Sequence, residues 1–165
     1  LLGADVAQNA ATLGGSEYLA FEHGHEAGTV EVDLDAELAL IRLLNQAAEG
    51  ELLQSAHDLA DGGLAVALAE CAIAGEIGLD APGVKLGARL DAALFGEAGA
   101  RAIVSVAPPK AEAFVALAAE AGVQTVALGR VGGTRLRLGG DGVDCSVESA
   151  TAAYREALPR VMNGE

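Results

Sequence analysis

Ser55-Ala56-His57-Asp58-Leu59-Ala60-Asp61-Gly62-Gly63-Leu64 is the stretch on which the fold turns. Leu52 and Leu53 lead into it, and Leu64, Leu68 and Cys71 continue beyond it as one face of a helix. It therefore joins a strand end to a helix start, the place where α/β proteins put ligands. Gly62 and Gly63 let backbone amides approach a bound group closely, and the helix N-terminus adds partial positive charge, which favours an anion such as phosphate. Asp58 and Asp61 would repel a bare phosphate. A magnesium ion between carboxylate and phosphate oxygens removes the conflict, so the sharper reading is a metal-bridged nucleotide. A plainer reading fits the same residues: Asp61 caps the helix, the glycines serve a tight turn, and His57 is held by Asp58 or by backbone. Caps are far commoner than metal sites, so the residues alone favour the plainer one.

Working outward, Ser16 is placed to cap a short helix that runs to His23 and ends at Gly24. Residues 37–48 carry Leu38, Ile41, Leu44 and Ala48 at helical spacing, with Asp35 near the start, and read as an amphipathic helix packed on a sheet. Gly75 and Gly78 close the helix that follows Gly63. Residues 102–106 form a compact apolar run with β-branched members, a strand that Pro108-Pro109 stops before a helix carrying Phe114, Leu117 and Ala121. Gly122 ends that helix, and residues 123–128 read as another strand, giving a strand-helix-strand unit with a right-handed crossover. Leu136 and Leu138 alternate with Arg135 and Arg137, residues 139–142 make a turn, and residues 143–147 return, which is a hairpin with one wet face. A last helix over about residues 149–158 is expected to bury Ala153, Tyr154 and Ala157 and to end at Pro159. Crossover segments plus a hairpin imply an α/β (α+β) fold, a mixed β-sheet flanked by α-helices, rather than an all-parallel doubly wound one.

The 165 residues suit one domain, because a chain of that size buries about 70% of the surface its unfolded form exposes. It opens on Leu1-Leu2-Gly3 without an initiator Met, and residues 1–165 read as a single domain of a longer chain. Hydrophobic residues make up 52%, yet Gly, Asp and Glu interrupt them before any run reaches the roughly 20 that a membrane span needs. No signal-peptide pattern is present, and the expectation is a soluble, cytoplasmic protein. With 24 acidic against 10 basic side chains, the net charge of -14 would repel a phosphate backbone, which argues against nucleic acid as a partner. Cys71 and Cys145 have the spacing of neither a zinc nor a redox motif.

Two further stretches could meet a ligand. Small residues surround Glu97 in Leu94-Phe95-Gly96-Glu97-Ala98-Gly99-Ala100-Arg101, which equally describes a loop into a strand. Gly14-Gly15-Ser16-Glu17 could cradle an anion, although Ser capping explains it more simply. No Ser-His-Asp arrangement, P-loop or dinucleotide fingerprint occurs, and His57 is too isolated to act as a catalytic base.

Taken in order, Leu13-Gly14-Gly15-Ser16-Glu17-Tyr18, then Val32-Asp33-Leu34 with Glu37, then the stretch from Ser55 to Leu64 with Ala67-Leu68-Ala69-Glu70, and finally Leu94 to Arg101 resemble the synthetase chain of phosphoribosylformylglycinamidine synthases. The matching patterns are LGGSEY, SAHDVSDGGL and an LFSES-type segment, and they cover nearly the whole chain. The resemblance implies a fold like the C-terminal domain of aminoimidazole ribonucleotide synthetase, in the second of two such domain pairs. It implies an ATP-dependent carbon-nitrogen ligase of purine biosynthesis. In that reaction ATP and magnesium activate the formyl amide oxygen of formylglycinamide ribonucleotide, and ammonia from a glutaminase displaces phosphate to give the amidine. Carried onto this sequence, the resemblance makes Asp58 a magnesium ligand and Glu97 a contact to the ribonucleotide; together with the turn as read from its residues, Asp61, Gly62, Gly63 and Glu97 are expected to line the ATP/ADP or substrate site, with no catalytic side chain.

Its implied partners are the N-terminal domains of the same chain, a glutaminase subunit and a small bridging subunit, while uncovered apolar surface leaves self-association open. Departures from the pattern matter: Glu97-Ala98-Gly99 lacks Ser and Gln side chains, and Ala60 and Gly96 each stand where the family has a hydroxyl. Those losses imply a degenerate or structural site and an isolated domain that is inactive. The rival readings are a related synthetase such as aminoimidazole ribonucleotide synthetase, against which the LGGSEY segment argues, and a non-catalytic scaffold whose acidic face docks a partner subunit.

Overall fold

The structure, a computed structural model, describes residues 1–4, 9–29, 31–87, 89–140 and 142–164. In chain order its elements are α1 (Glu17–His23), α2 (Leu34–Glu49), β1 (Leu53–Asp58), α3 (Gly63–Gly75), β2 (Leu79–Ala81), α4 (Leu90–Phe95), β3 (Ala102–Val106), α5 (Ala111–Glu120), β4 (Arg130–Val131), β5 (Arg135–Leu138), β6 (Val143–Ser146) and α6 (Val147–Asn163), with 3-10 turns at Ala10–Leu13 and Pro108–Lys110. Two compact units divide them: Leu1–Ala67 with Lys85–Ala127, and Leu68–Val84 with Leu128–Glu165.

In the first unit the Ser16 hydroxyl accepts from the Leu19 amide and Gly24 closes α1 in the left-handed conformation at φ 64°. The cap and stop are those expected from the sequence. Asp33 caps α2 by accepting from the amides of Asp35 and Ala36, and Leu40, Leu43 and Ala47 form its buried face. That face differs in part from the expected one: Leu44 packs against the core, but Leu38, Ile41 and Ala48 are exposed. The helix carries two apolar stripes of the same period, and the one packed against Leu2, Ala102, Phe114 and Ala118 is the buried one.

β1 pairs antiparallel with β3, and Ser55 faces Ser105 with hydroxyl oxygens 2.5 Å apart. β3 and α5 occupy the expected places. The strand expected over residues 123–128 does not form. Thr125 makes a single bridge to Leu2, which also bridges Ala102, both antiparallel. The first three residues thus supply the pairing: the Val126 amide donates to the Leu1 carbonyl and the Gly3 amide to the Gln124 carbonyl. Residues 123–128 thus pair across a single bridge rather than a ladder, and the apolar pattern had no way to signal that.

The second unit holds a four-stranded sheet in the order β4-β2-β5-β6, with β2 and β5 parallel and the other pairs antiparallel, which is the mixed pairing expected. Leu79, Ala81, Leu136 and Leu138 are buried. The opposite face carries a cross-strand row of alternating sign, Arg130, Asp80, Arg137 and Asp144. Residue 141 of the expected hairpin turn lies outside the described residues. α6 departs from expectation at both ends: Ser146 caps it, and it runs through Pro159 to Asn163. Ala153, Tyr154 and Ala157 are exposed, and Val147 is its buried residue. Among the described residues no helix is long and apolar enough to cross a membrane.

Candidate functional site

The stretch from Ser55 to Leu64 divides into three pieces. Ser55 through Asp58 belong to β1, so His57 and Asp58 sit on the strand rather than in the turn expected for them, because the ladder with β3 extends to the Asp58–Ala102 pair. Leu59 to Gly62 form the turn, and α3 begins at Gly63. Gly62 therefore occupies the cap position, and Asp61 stands one residue ahead of it, exposed. Both glycines have positive φ, 78° and 64°. At Gly63 a β-carbon would come within 2.8 Å of the Gly96 carbonyl oxygen and of the Phe95 carbonyl carbon, so this turn lies backbone to backbone against the end of α4.

Glu97 follows α4 directly. Its Oε1 accepts from the Gly62 amide at 2.7 Å and from the Glu17 amide at 2.9 Å, while its own amide donates to the Thr12 carbonyl at 2.9 Å. One carboxylate thus satisfies an amide ahead of α3 and one in the first turn of α1. A carboxylate at such amides is favoured by the charge of both helix ends. Gly96 beside it is fixed by packing: a β-carbon there would lie 2.3 Å from the Thr12 Oγ1. The missing side chain at 96 is matched by the threonine at 12.

Gly14-Gly15 does not present a free anion cradle. The Gly15 amide donates to the Ala27 carbonyl at 3.1 Å, and Gly28 packs so closely on Gly14 that a β-carbon at Gly28 would meet the Gly14 Cα at 2.3 Å. Ser16, buried to 1% exposure, donates to the Leu13 carbonyl and caps α1. Tyr18 stacks on Phe95 with centroids 4.9 Å apart, tying the same segments together through an apolar contact.

A cleft of about 1160 Å³ lies beside this joint, lined by Thr12, Gly14, Asp33, Glu97 and Ala98 among others. Asp58 opens instead into a second cleft, of about 390 Å³, with His57, Glu37 and Arg101. The structure therefore separates Asp58 from Glu97, and Asp61 lines neither cleft. The Asp58 side chain is 80% exposed, and His57 donates through Nδ1 to the Asp58 carbonyl at 2.7 Å.

Glu37, which sequence reasoning did not place in the site, reaches from α2 to the Ala100 amide at 2.6 Å. Ala100 holds φ at 53°, and a β-carbon on Gly99 would lie 2.7 Å from the Glu37 Oε1. The hint in the sequence is its place after Val32-Asp33-Leu34 in the resembling pattern, while its partner amide lies 63 residues away.

For magnesium, Asp58 alone is too few donors for a site, and among the described residues no three His, Cys, Asp or Glu side chains gather to hold a metal. Burial, with Glu70 beside it, pushes the Cys71 thiol up, away from reactive thiolate chemistry.

Residues 2–140 match the family described as AIR synthase related protein, C-terminal domain. The subunit PurL of phosphoribosylformylglycinamidine synthase from Thermobifida fusca is 46% identical over 93% of this chain and 20% of its own length. The same subunit from Synechococcus is 44% identical over 90% of this chain and 20% of its own. The chain thus spans about a fifth of the curated relatives it matches. Among solved structures, T. maritima PurL complexed with FGAR superposes with a TM-score of 0.69 at 21% identity, over 91% of this chain and 27% of that one. T. maritima PurL complexed with ADP gives 0.67 at 18%, over 91% and 24%. At those identities the likeness is one of fold.

Proposed function

The chain belongs to the AIR synthase related family as a C-terminal domain of that type, and from this premise we propose that it is the C-terminal domain of a phosphoribosylformylglycinamidine synthase synthetase chain. The intact enzyme would convert formylglycinamide ribonucleotide, ATP and glutamine-derived ammonia to the amidine in the cytoplasmic pathway of purine biosynthesis. The observation that supports this reading is the Glu97 joint. Three of the four segments that resemble the synthetase, those around Gly15, Gly62 and Glu97, are far apart in sequence and converge on one carboxylate oxygen.

In this reading the domain is a support for the active enzyme. Glu97 is committed to backbone amides, and Gly62 and Gly63 serve close packing against α4, so these residues shape the wall of a nucleotide or phosphate pocket completed by the N-terminal domains. Asp58, exposed on β1, is the carboxylate the domain would offer to a magnesium ion held elsewhere in the enzyme. The partners proposed are those N-terminal domains, a glutaminase subunit and a small bridging subunit. A solved PurLQS assembly from Thermotoga maritima supports such a complex by analogy.

The test is an amidine-forming assay of the full-length protein with ammonia or glutamine, ATP and magnesium, beside the isolated domain. The full chain should turn over and the isolated domain should not; a full chain that forms no amidine refutes the assignment. The exposure of Asp58 favours the scaffold as second reading. Asp58→Asn in the full chain separates the two: unchanged magnesium and nucleotide affinity with unchanged turnover selects the scaffold.

A further inference from the structure

β3 has two edges. On one it pairs with β1, and the Leu59 amide continues that ladder by donating to the Arg101 carbonyl. On the other, Ala102 exchanges both backbone hydrogen bonds with Leu2, at 2.8 and 3.3 Å. Backbone groups of an antiparallel strand point alternately to its two neighbours, so Ile103 and Ser105 serve β1 while Val104 and Val106 direct their amides and carbonyls to the side of Leu2. Among the described residues no backbone hydrogen bond reaches Val104 or Val106 from that side. Their side chains are nonetheless half-buried against the cluster that holds Leu2, Leu40 and Phe114, so the open edge belongs to the core layer and not to a wet rim.

Leu1 shows what suits that edge. Its nitrogen donates to the Val126 carbonyl at 2.9 Å and its carbonyl accepts from the Val126 amide at 2.8 Å, the reciprocal pair of an antiparallel ladder. Burial, with the Arg101 charge nearby, pushes the Leu1 ammonium down to about 6. The position therefore favours an uncharged N–H, such as a peptide amide supplies. Direction adds the rest. Leu2 is antiparallel to β3, so the backbone traced from Leu2 back through Leu1 heads from Ala102 toward Val106, along the unpaired groups.

We infer that the edge of β3 at Val104 and Val106 is the docking surface for the residues that precede Leu1 in the full-length protein, which lie on it as a strand. The Leu2–Ala102 pair sets the register: the first residue before Leu1 stands opposite Val104, the second opposite Ser105 and the third opposite Val106. Side chains alternate, so the first and third share the buried face of Leu2 and are apolar. The inference rests on the reading of this chain as one domain of a longer one. It makes the joint between domains a rigid one. Only β3 separates the incoming strand from β1, so the register of the joint also sets where Asp58 stands relative to the domains before it.

The test uses the full-length protein. Cysteine at the second position before Leu1, together with Ser105→Cys, occupies a non-hydrogen-bonded pair close enough for a disulfide, and mild oxidation should link the two within one chain. The same upstream cysteine with Val106→Cys, which points to the opposite face, should stay unlinked. Hydrogen exchange resolved to single amides needs no substitution. Val104 and Val106 should exchange within roughly tenfold of Ile103 and Ser105, whereas an open edge would exchange them about a hundredfold faster. Fast exchange at Val104 and Val106 overturns the inference. So does a folded double-cysteine chain that stays unlinked at 105, links at 106 instead, or links only to a second copy. An enzyme that forms the amidine but fails these measurements loses the strand alone, and a chain that passes them without forming the amidine loses the ligase assignment alone.

Discussion

In the first unit Glu97 and Glu37 place their oxygens on backbone amides, whereas in the second Asp144 places its Oδ1 on guanidinium groups, 2.6 Å from Arg135 and 3.5 Å from Arg137. Each carboxylate is satisfied, but the consequences differ. An amide has no rotamers, so a carboxylate bonded to it fixes the path of the chain. A guanidinium on a flexible stem fixes little, and water and salt compete for it. The contacts of the first kind also coincide with glycines that tolerate no side chain, so the loop from Gly96 to Arg101 is determined twice, once by polar contacts and once by packing.

If packing dominates, the largest loss comes from Gly63→Ala. It combines φ near 64° with a clash against the end of α4, and should cost about 2–4 kcal/mol in urea unfolding. A cost no larger than that of a surface substitution would break the comparison at its strongest point. Next comes Glu97→Ala, which strands the amides of Gly62 and Glu17 and should cost about 2–3 kcal/mol, with Glu97→Gln retaining an acceptor and losing about half as much. Equal losses for the two substitutions would mean that the side chain matters for volume rather than for accepting. Glu37→Ala releases one amide, that of Ala100, and should cost about 1–2 kcal/mol by the same measurement.

The smallest effect belongs to the hairpin. Arg135, and behind it Arg137, hold the Asp144 carboxyl below the usual carboxylate range. A lowered folded-state value means that the pair's contribution is present at neutral pH and fades as pH falls below that range. Because the group is exposed, Asp144→Asn should leave the melting temperature at neutral pH and moderate salt unchanged within error. A clear drop would show that the alternating row across the sheet acts as a network and not as separate pairs.

The sequence disclosed what is decided within a few residues of chain. Ser16 as a cap, Gly24 as a stop and Pro108-Pro109 between β3 and α5 are local signals, and each is where the pattern put it. It misled where two answers share one period, as on α2, and where the deciding partner is remote, as with the single bridge from Leu2 to Thr125. Pro159 illustrates a third limit, because α6 runs through the proline to Asn163 although the residues around it are exposed. At the candidate site the important residues were visible while their grouping was not. Asp58 and Glu97 both stand out by type, but only the ladder of β1 with β3 carries Asp58 into a different cleft.

Leu2 is 1% exposed between Ala102 and Thr125, so it is seated by segments made a hundred residues or more later. On a ribosome adding about 5–20 residues per second, Leu2 waits roughly 6–25 s before Thr125 exists to receive it. Until then the side of Leu2 that Thr125 bridges stays open to any passing strand, which exposes this seam of the nascent chain to mispairing.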